Sequence, residues 1–267
     1  MILRTTFENI YSFKDETSVS FVAGKGSVHP SHVSRAQKRD DISALKFGII
    51  YGANASGKSN VIKAIALLQQ IALSRFPIGD FDPFKLVKPI KLVSKIEIEF
   101  KTDGRYFAYG VEFSANGIKE EWLYEINARS DKKIFTRKTD SDGNQFEFGD
   151  IHGDNSVGQF VKFLGEGTPA KRSFLAEYIE RNGKGLCPIK VAYQWFATGL
   201  RIIFPGTRFR GLSFNAEQDE KFHESTRRLL QYFNTGIVDV RRFPVQSKEE
   251  TNLPERLLEK IISTAPP

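Results

Sequence analysis

Gly52-Ala53-Asn54-Ala55-Ser56-Gly57-Lys58-Ser59 satisfies the pattern G-x-x-x-x-G-K-[ST] at every fixed position. A glycine loop of this kind cradles phosphate only between a strand and a helix, and both are predicted around it. Phe47-Gly48-Ile49-Ile50-Tyr51 is a short apolar, β-branched run that reads as a buried strand. Val61 to Leu73 is rich in Ile, Leu and Ala, interrupted by Lys63, Gln69 and Gln70, and reads as a helix buried on most sides.

The residue types explain the chemistry. Gly52 and Gly57 let the backbone curl without Cβ clashes, so that N–H groups from Asn54 to Gly57 converge on a phosphate at the positive end of a helix. Lys58 is placed to bridge β- and γ-phosphates, and the Ser59 hydroxyl to bind Mg²⁺. The candidate nucleotide-binding residues are Gly52, Ala53, Asn54, Ala55, Ser56, Gly57, Lys58, Ser59 and Asn60, with ATP and Mg²⁺ as the expected cofactors.

Composition sets the limits. A chain of 267 residues with 40% apolar content buries a sizeable core. No apolar run approaches the roughly 20 residues of a membrane span, and Met1-Ile2-Leu3-Arg4 lacks a signal-peptide core, so no membrane partner and a cytoplasmic address are expected. Cys187 stands alone, which excludes a disulfide framework or a Cys-based zinc site within these residues. The net charge of +7 favours polyanions in general, nucleotides included.

Along the chain, residues 2–10 and 17–22 read as two strands joined by a turn, and 23–45 as a mobile loop without apolar periodicity. His29 and His32 in that loop lack carboxylate or thiol partners, so no protein metal site is assigned and Mg²⁺ comes with the nucleotide. From 95 to 149 the period becomes two. Ile96, Ile98 and Phe100 alternate with charged residues, as do Phe107, Tyr109, Val111 and Phe113, and Asp103-Gly104, Asn116-Gly117 and Asp142-Gly143 mark hairpins. The spacing predicts an antiparallel meander of about four to five strands whose aromatic stripe faces the core rather than stacking bases.

Helical patterning follows from about Thr168, with Phe174–Ile179, Ile189–Phe196, Ala216–Phe233 and a last segment around Leu253–Ile262, and a strand is predicted at Leu200–Phe204. The basic pairs Lys171-Arg172, Arg208/Arg210, Arg227-Arg228 and Arg241-Arg242 would track a nucleic-acid backbone if they converged.

Residues 51–60, Tyr-Gly-Ala-Asn-Ala-Ser-Gly-Lys-Ser-Asn, resemble the loop of the ABC/SMC-like ATPases, and specifically of the bacterial family often called AAA15 or AAA21. The stretch Phe7-Glu8-Asn9-Ile10-Tyr11-Ser12-Phe13-Lys14-Asp15 resembles that family's N-terminal strand, with Tyr11 at the position of the usual Arg. Asp82-Pro83-Phe84-Lys85-Leu86, Tyr106–Glu112 and Glu120–Tyr124 are similar to it as well.

The resemblance implies an α/β fold: a P-loop ATPase of ABC/SMC-like type with an antiparallel β-meander layer and a helical C-terminal part. A core lobe is expected at 1–165 and a helical part at 166–267. It also implies ATP hydrolysis by two copies that sandwich the nucleotide, and a role in bacterial defence against phage as the nucleotide-gated sensor or scaffold of a nuclease or toxin effector. The alternative is a DNA-repair or recombination ATPase that clamps DNA. The family's Asp-Glu strand, signature loop and Q-loop are not found in residues 1–267. Gly236–Val240 offers a strand with an Asp followed by Val, and Ser156–Phe160 only faintly resembles a signature loop. The expectation is therefore the N-terminal portion of a longer ATPase, with catalytic residues unassigned, the alternative being a degenerate chain that binds nucleotide and hardly hydrolyses it.

Overall fold

The computed structural model describes residues 1–24, 29–35, 41–75, 81–127, 129–141, 143–149, 156–183, 185–207 and 219–240. The chain divides into two compact units, Met1–Ile202 and Ile203–Pro267. The first unit is mixed α/β and is built on a seven-stranded sheet in which every pairing is antiparallel.

The sheet begins with β1 (Ile2–Glu8) and β2 (Thr17–Ser20) and continues with β5 (Ser94–Thr102), β6 (Arg105–Ser114), β7 (Gly117–Glu125), β8 (Lys132–Asp140) and β9 (Gly143–Phe148). Its spatial order is β2-β1-β5-β6-β7-β8-β9, so the meander predicted from the period-two pattern is present with five strands, and β1 is added at its first edge. Asp103 and Gly104 turn β5 into β6 with φ of 49° and 72°, the two positive values of a type I′ hairpin.

Alternation decides the faces. Ile96, Ile98 and Phe100 of β5 and Phe107, Tyr109, Val111 and Phe113 of β6 are buried on the core side, as the aromatic stripe predicts. Each large apolar side chain buried there contributes about 1.5–3 kcal/mol. Against that face pack α1 (Lys58–Ala72), α2 (Ser156–Glu166), α3 (Phe174–Glu180) and α4 (Cys187–Gln194), the last running into a π-helical turn at Trp195–Gly199. The Trp195 ring stacks on Phe100 at 3.9 Å between centroids, and Phe196 meets Tyr109 edge-on at 5.2 Å.

A buried polar cluster joins sheet and helices. Glu121 on β7 accepts from the backbone N–H of Phe174 (2.7 Å) and Leu175 (3.2 Å), satisfying two orphan donors at the start of α3, and from the Tyr109 hydroxyl at 3.0 Å. Arg137 on β8 lies 3.6 Å from Glu121 and donates to the carbonyls of Arg172 (2.7 Å), Pro169 (3.0 Å) and Thr168 (3.3 Å). Burial raises the Glu121 carboxyl and the Tyr109 phenol above their ordinary values and lowers the Arg137 guanidinium. Ser173, the N-cap of α3, donates to Ala72 O at 3.0 Å and so ties this cluster to the C-terminal end of α1.

Several expectations are corrected. Phe47–Tyr51 forms no strand: it is unpaired, with Phe47 55%, Ile49 77%, Ile50 45% and Tyr51 89% exposed. An apolar run becomes a buried strand only where neighbours supply its hydrogen bonds and cover, and no described segment does so here. Residues 200–204 likewise form no strand, and β2 ends at Ser20, followed by an isolated bridge at Val22. After the meander, helical structure resumes at Ser156, ahead of Thr168.

Within 23–45 the described residues include a 3₁₀ turn at Pro30–His32 and a short hairpin of β3 (Val33–Ser34) and β4 (Ala44–Leu45). The His29 and His32 rings stack there at 5.1 Å. In the second unit, α5 (Glu220–Tyr232) begins at its N-cap Asp219, whose carboxylate accepts from Lys221 N and Phe222 N. The predicted segment at Leu253–Ile262 lies outside the described residues. Among the described residues no helix is long and apolar enough to cross a membrane.

Candidate functional site

The loop Gly52–Gly57 leads straight into α1. Gly57 is the N-cap of that helix, at φ 89°, a left-handed value that a side chain would strain. Ala55 is also left-handed at φ 63°, and Ser56 N donates to Ala53 O at 3.3 Å, so the loop curls back on itself. Residues 52–56 and Ser59 are exposed, while Gly57, Lys58 and Asn60 are half-buried.

The electrostatics follow from what is missing at the helix start. No side chain caps α1 and its first turn holds no acidic residue, so its leading N–H groups keep their hydrogen-bonding capacity and the positive end of the helix dipole is uncompensated. Asn60 N is the exception, donating to Gly57 O at 2.9 Å. Lys58 folds over the loop, its Nζ donating to Gly52 O (2.8 Å) and Ala53 O (2.5 Å). Backbone N–H groups, the Lys58 ammonium and the Ser59 hydroxyl thus stand within one short stretch at the start of α1, and these are the donor types that a polyphosphate and its Mg²⁺ require. These residues fit that ligand.

Seven buried residues hold α1 in place: Val61, Ala64, Ile65, Leu67, Leu68, Ile71 and Ala72. At its far end the Gln69 side chain donates to the carbonyls of Phe196 (2.7 Å) and Leu200 (2.9 Å), so that glutamine serves the π-helical turn rather than the loop.

The structure adds a neighbour that the motif does not contain. A Cβ built on Gly57 would lie 2.4 Å from Ser12 Oγ, so the turn after β1 reaches the mouth of the loop. Tyr11, at the position of the family's Arg, packs half-buried against the core, where burial and Asp82 raise its phenol above the ordinary value. The only local signals for this turn are Asn9 and Ser12 within the N-terminal stretch, and neither by itself points to Gly57.

Other sequence candidates fall elsewhere. Ser156–Phe160 is the first part of α2. Asp239 belongs to the second unit, where its carboxylate lies 3.3 Å from His223 Nε2. Arg172 pairs with Glu177 and Glu180, and Arg227 and Arg228 both pair with Glu224, while Arg208, Arg210, Arg241 and Arg242 lie outside the described residues.

The model of a protein family described as "AAA domain, putative AbiEii toxin, Type IV TA system" matches residues 48–175. That stretch is similar to the AAA_21 family. The AAA_21 match opens at Gly48, four residues before the glycine loop, and closes inside α3, so it takes in the loop, α1 and the whole β5–β9 meander. An AAA domain is in general a P-loop ATPase module that binds nucleotide, typically with Mg²⁺. No curated protein matches the chain.

Proposed function

We propose that the chain binds Mg-ATP at Gly52–Asn60 and acts as a nucleotide-gated ATPase subunit. The observation that carries this reading is the uncapped start of α1, with left-handed Gly57 before it and Lys58 folded over the loop. Lys58 neutralises β- and γ-phosphate charge, the backbone from Asn54 to Gly57 holds the β-phosphate, and Ser59 ligates the metal. Bound Mg²⁺ supplies further neutralisation of the charge that develops on the phosphates during transfer. Catalysis of hydrolysis falls to residues not assigned in this chain and to a second copy that closes over the nucleotide.

The biological role follows from the family description, which names a toxin and a type IV toxin–antitoxin system. We read the chain as the sensor or scaffold of a cytoplasmic bacterial anti-phage defence system, in which the nucleotide state controls a toxin or nuclease partner. The exposed apolar run Phe47–Tyr51 beside the loop supports a protein partner close to the nucleotide. The DNA-clamp alternative has less behind it, since Arg172, Arg227 and Arg228 are already paired with glutamates.

Titration of the chain with Mg-ATP, alongside Lys58→Ala, tests the assignment. Binding in the parent that is lost in the variant supports it, and equal affinity of the two proteins would overturn it.

A further inference from the structure

We propose that Ser12 is a phosphate-binding residue of the nucleotide site, its hydroxyl delivered to the mouth of the glycine loop by the turn after β1. This rests on the reading of Gly52–Ser59 as a phosphate site. The argument begins with where the hydroxyl stands. A Cβ on Gly57 would meet Ser12 Oγ at 2.4 Å and Ser12 Cβ at 3.2 Å, so Ser12 fills the notch that the missing side chain of the N-cap leaves open. The N–H groups that open α1 start from that same residue.

The turn has little freedom to put Ser12 anywhere else. Asn9, at φ 51° and 4% exposed, donates its side-chain amide to the carbonyls of Lys91 and Val93, both at 2.8 Å, and its own carbonyl accepts from Ser94 Oγ at 2.5 Å. Ile10 and Phe13 then close a two-residue turn through reciprocal backbone bonds of 3.0 and 2.8 Å. Ile10 is fully buried and Phe13 stacks on Phe7 at 5.1 Å, so both feet of the turn are fixed in the core. At the tip, Tyr11 is held at φ 51° and donates its N–H to Asp82 O at 2.9 Å. Asn9 and Tyr11 are two non-glycine residues kept left-handed within three positions, a cost that surrounding contacts must sustain.

The chemistry suits an anion. The backbone groups at the start of α1 and the Lys58 ammonium can only donate. A hydroxyl among them is exposed and keeps a proton to give to a phosphate oxygen, and donation to a charged acceptor is the stronger kind of hydrogen bond.

The test is calorimetric titration of the full chain with Mg-ATP and with inorganic tripolyphosphate, for the parent, Ser12→Ala and Lys58→Ala. Ser12→Ala removes one exposed oxygen and leaves the turn's anchors untouched, so the melting temperature stays at the parent's value. The expected result is a loss of about tenfold in affinity for both ligands. Affinity equal to the parent's, while Lys58→Ala abolishes binding, would overturn the role of Ser12 and leave the loop assignment standing. Weaker ATP binding with unchanged tripolyphosphate binding would also overturn it, by placing the contact on the nucleoside. No binding of either ligand by the parent would overturn both readings.

Discussion

The Gln69 side-chain amide donates to both Phe196 O and Leu200 O, at 2.7 and 2.9 Å, and so joins the helix that follows the glycine loop to the π-helical turn at Trp195–Gly199. A π turn leaves carbonyls without regular helical partners, and a two-donor amide is suited to take two of them. Gln69→Ala is expected to destabilise the first unit by about 1–3 kcal/mol, since partly buried acceptors lose their donors. Gln69→Glu should cost more at neutral pH, because a carboxylate would face two carbonyl oxygens. Chemical denaturation followed by tryptophan fluorescence checks both, with buried Trp195 as the near reporter. An alanine variant as stable as the parent would show that the two bonds are dispensable.

Gly57→Ala should damage the site while sparing the fold. The substituted residue would be held at φ 89° with its Cβ 2.4 Å from Ser12 Oγ, a left-handed strain of about 1–2 kcal/mol in addition to the collision. Mg-ATP affinity is expected to fall by more than tenfold, while the strain lowers the melting temperature by only several degrees because the core packing of α1 is untouched. Adding Ser12→Gly relieves the collision but not the strain, so the double variant should recover melting temperature in part, while Mg-ATP affinity stays low because the Ser12 hydroxyl is gone as well.

Two carboxyl groups should give opposite pH dependences. Arg105 donates to Glu125 through two bonds, of 2.6 and 2.8 Å, and holds that carboxyl below its ordinary value. Its stabilising effect is present above the unfolded value of about 4.3 and is lost as pH falls through the lower folded value. Glu121 is raised by burial, so its effect is fully present below about 4.3 and is lost as pH rises through the folded value. Stability measured from pH 4 to 8 should show Glu121→Gln comparing more favourably with the parent as pH rises. The parent's advantage over Arg105→Gln should be full at neutral pH and shrink as the measurement is extended below pH 4. A parent-to-Glu121→Gln difference that stays flat with pH would contradict the first of these.

Thr5 of β1 is 1% exposed and its hydroxyl has no hydrogen-bond partner among the described residues. Valine keeps the shape and removes the unsatisfied oxygen, so Thr5→Val is expected to stabilise the protein by about 1 kcal/mol, read as a rise in denaturation midpoint with an unchanged slope. A lower midpoint would mean that the hydroxyl is satisfied in solution.

By itself the sequence determined what depends on short separations along the chain. The glycine-loop motif and α1 are legible because the motif is a set of residues at fixed spacing and the helix an apolar period along the chain. The meander is legible because each strand needs only alternation and each hairpin a turn pair such as Asp103-Gly104. Tertiary structure decided whatever depends on distant partners. Phe47–Tyr51 has the composition of a buried strand but lies exposed, since neighbouring strands, not local propensity, bury a strand. Glu121 at the start of α3, Gln69 at the π turn and Ser12 against Gly57 each join segments far apart in sequence, and a polar residue's identity carries no record of which distant group it will meet. Periodicity encodes which face of an element is apolar, whereas a polar contact is fixed only when packing brings donor and acceptor within about 3 Å.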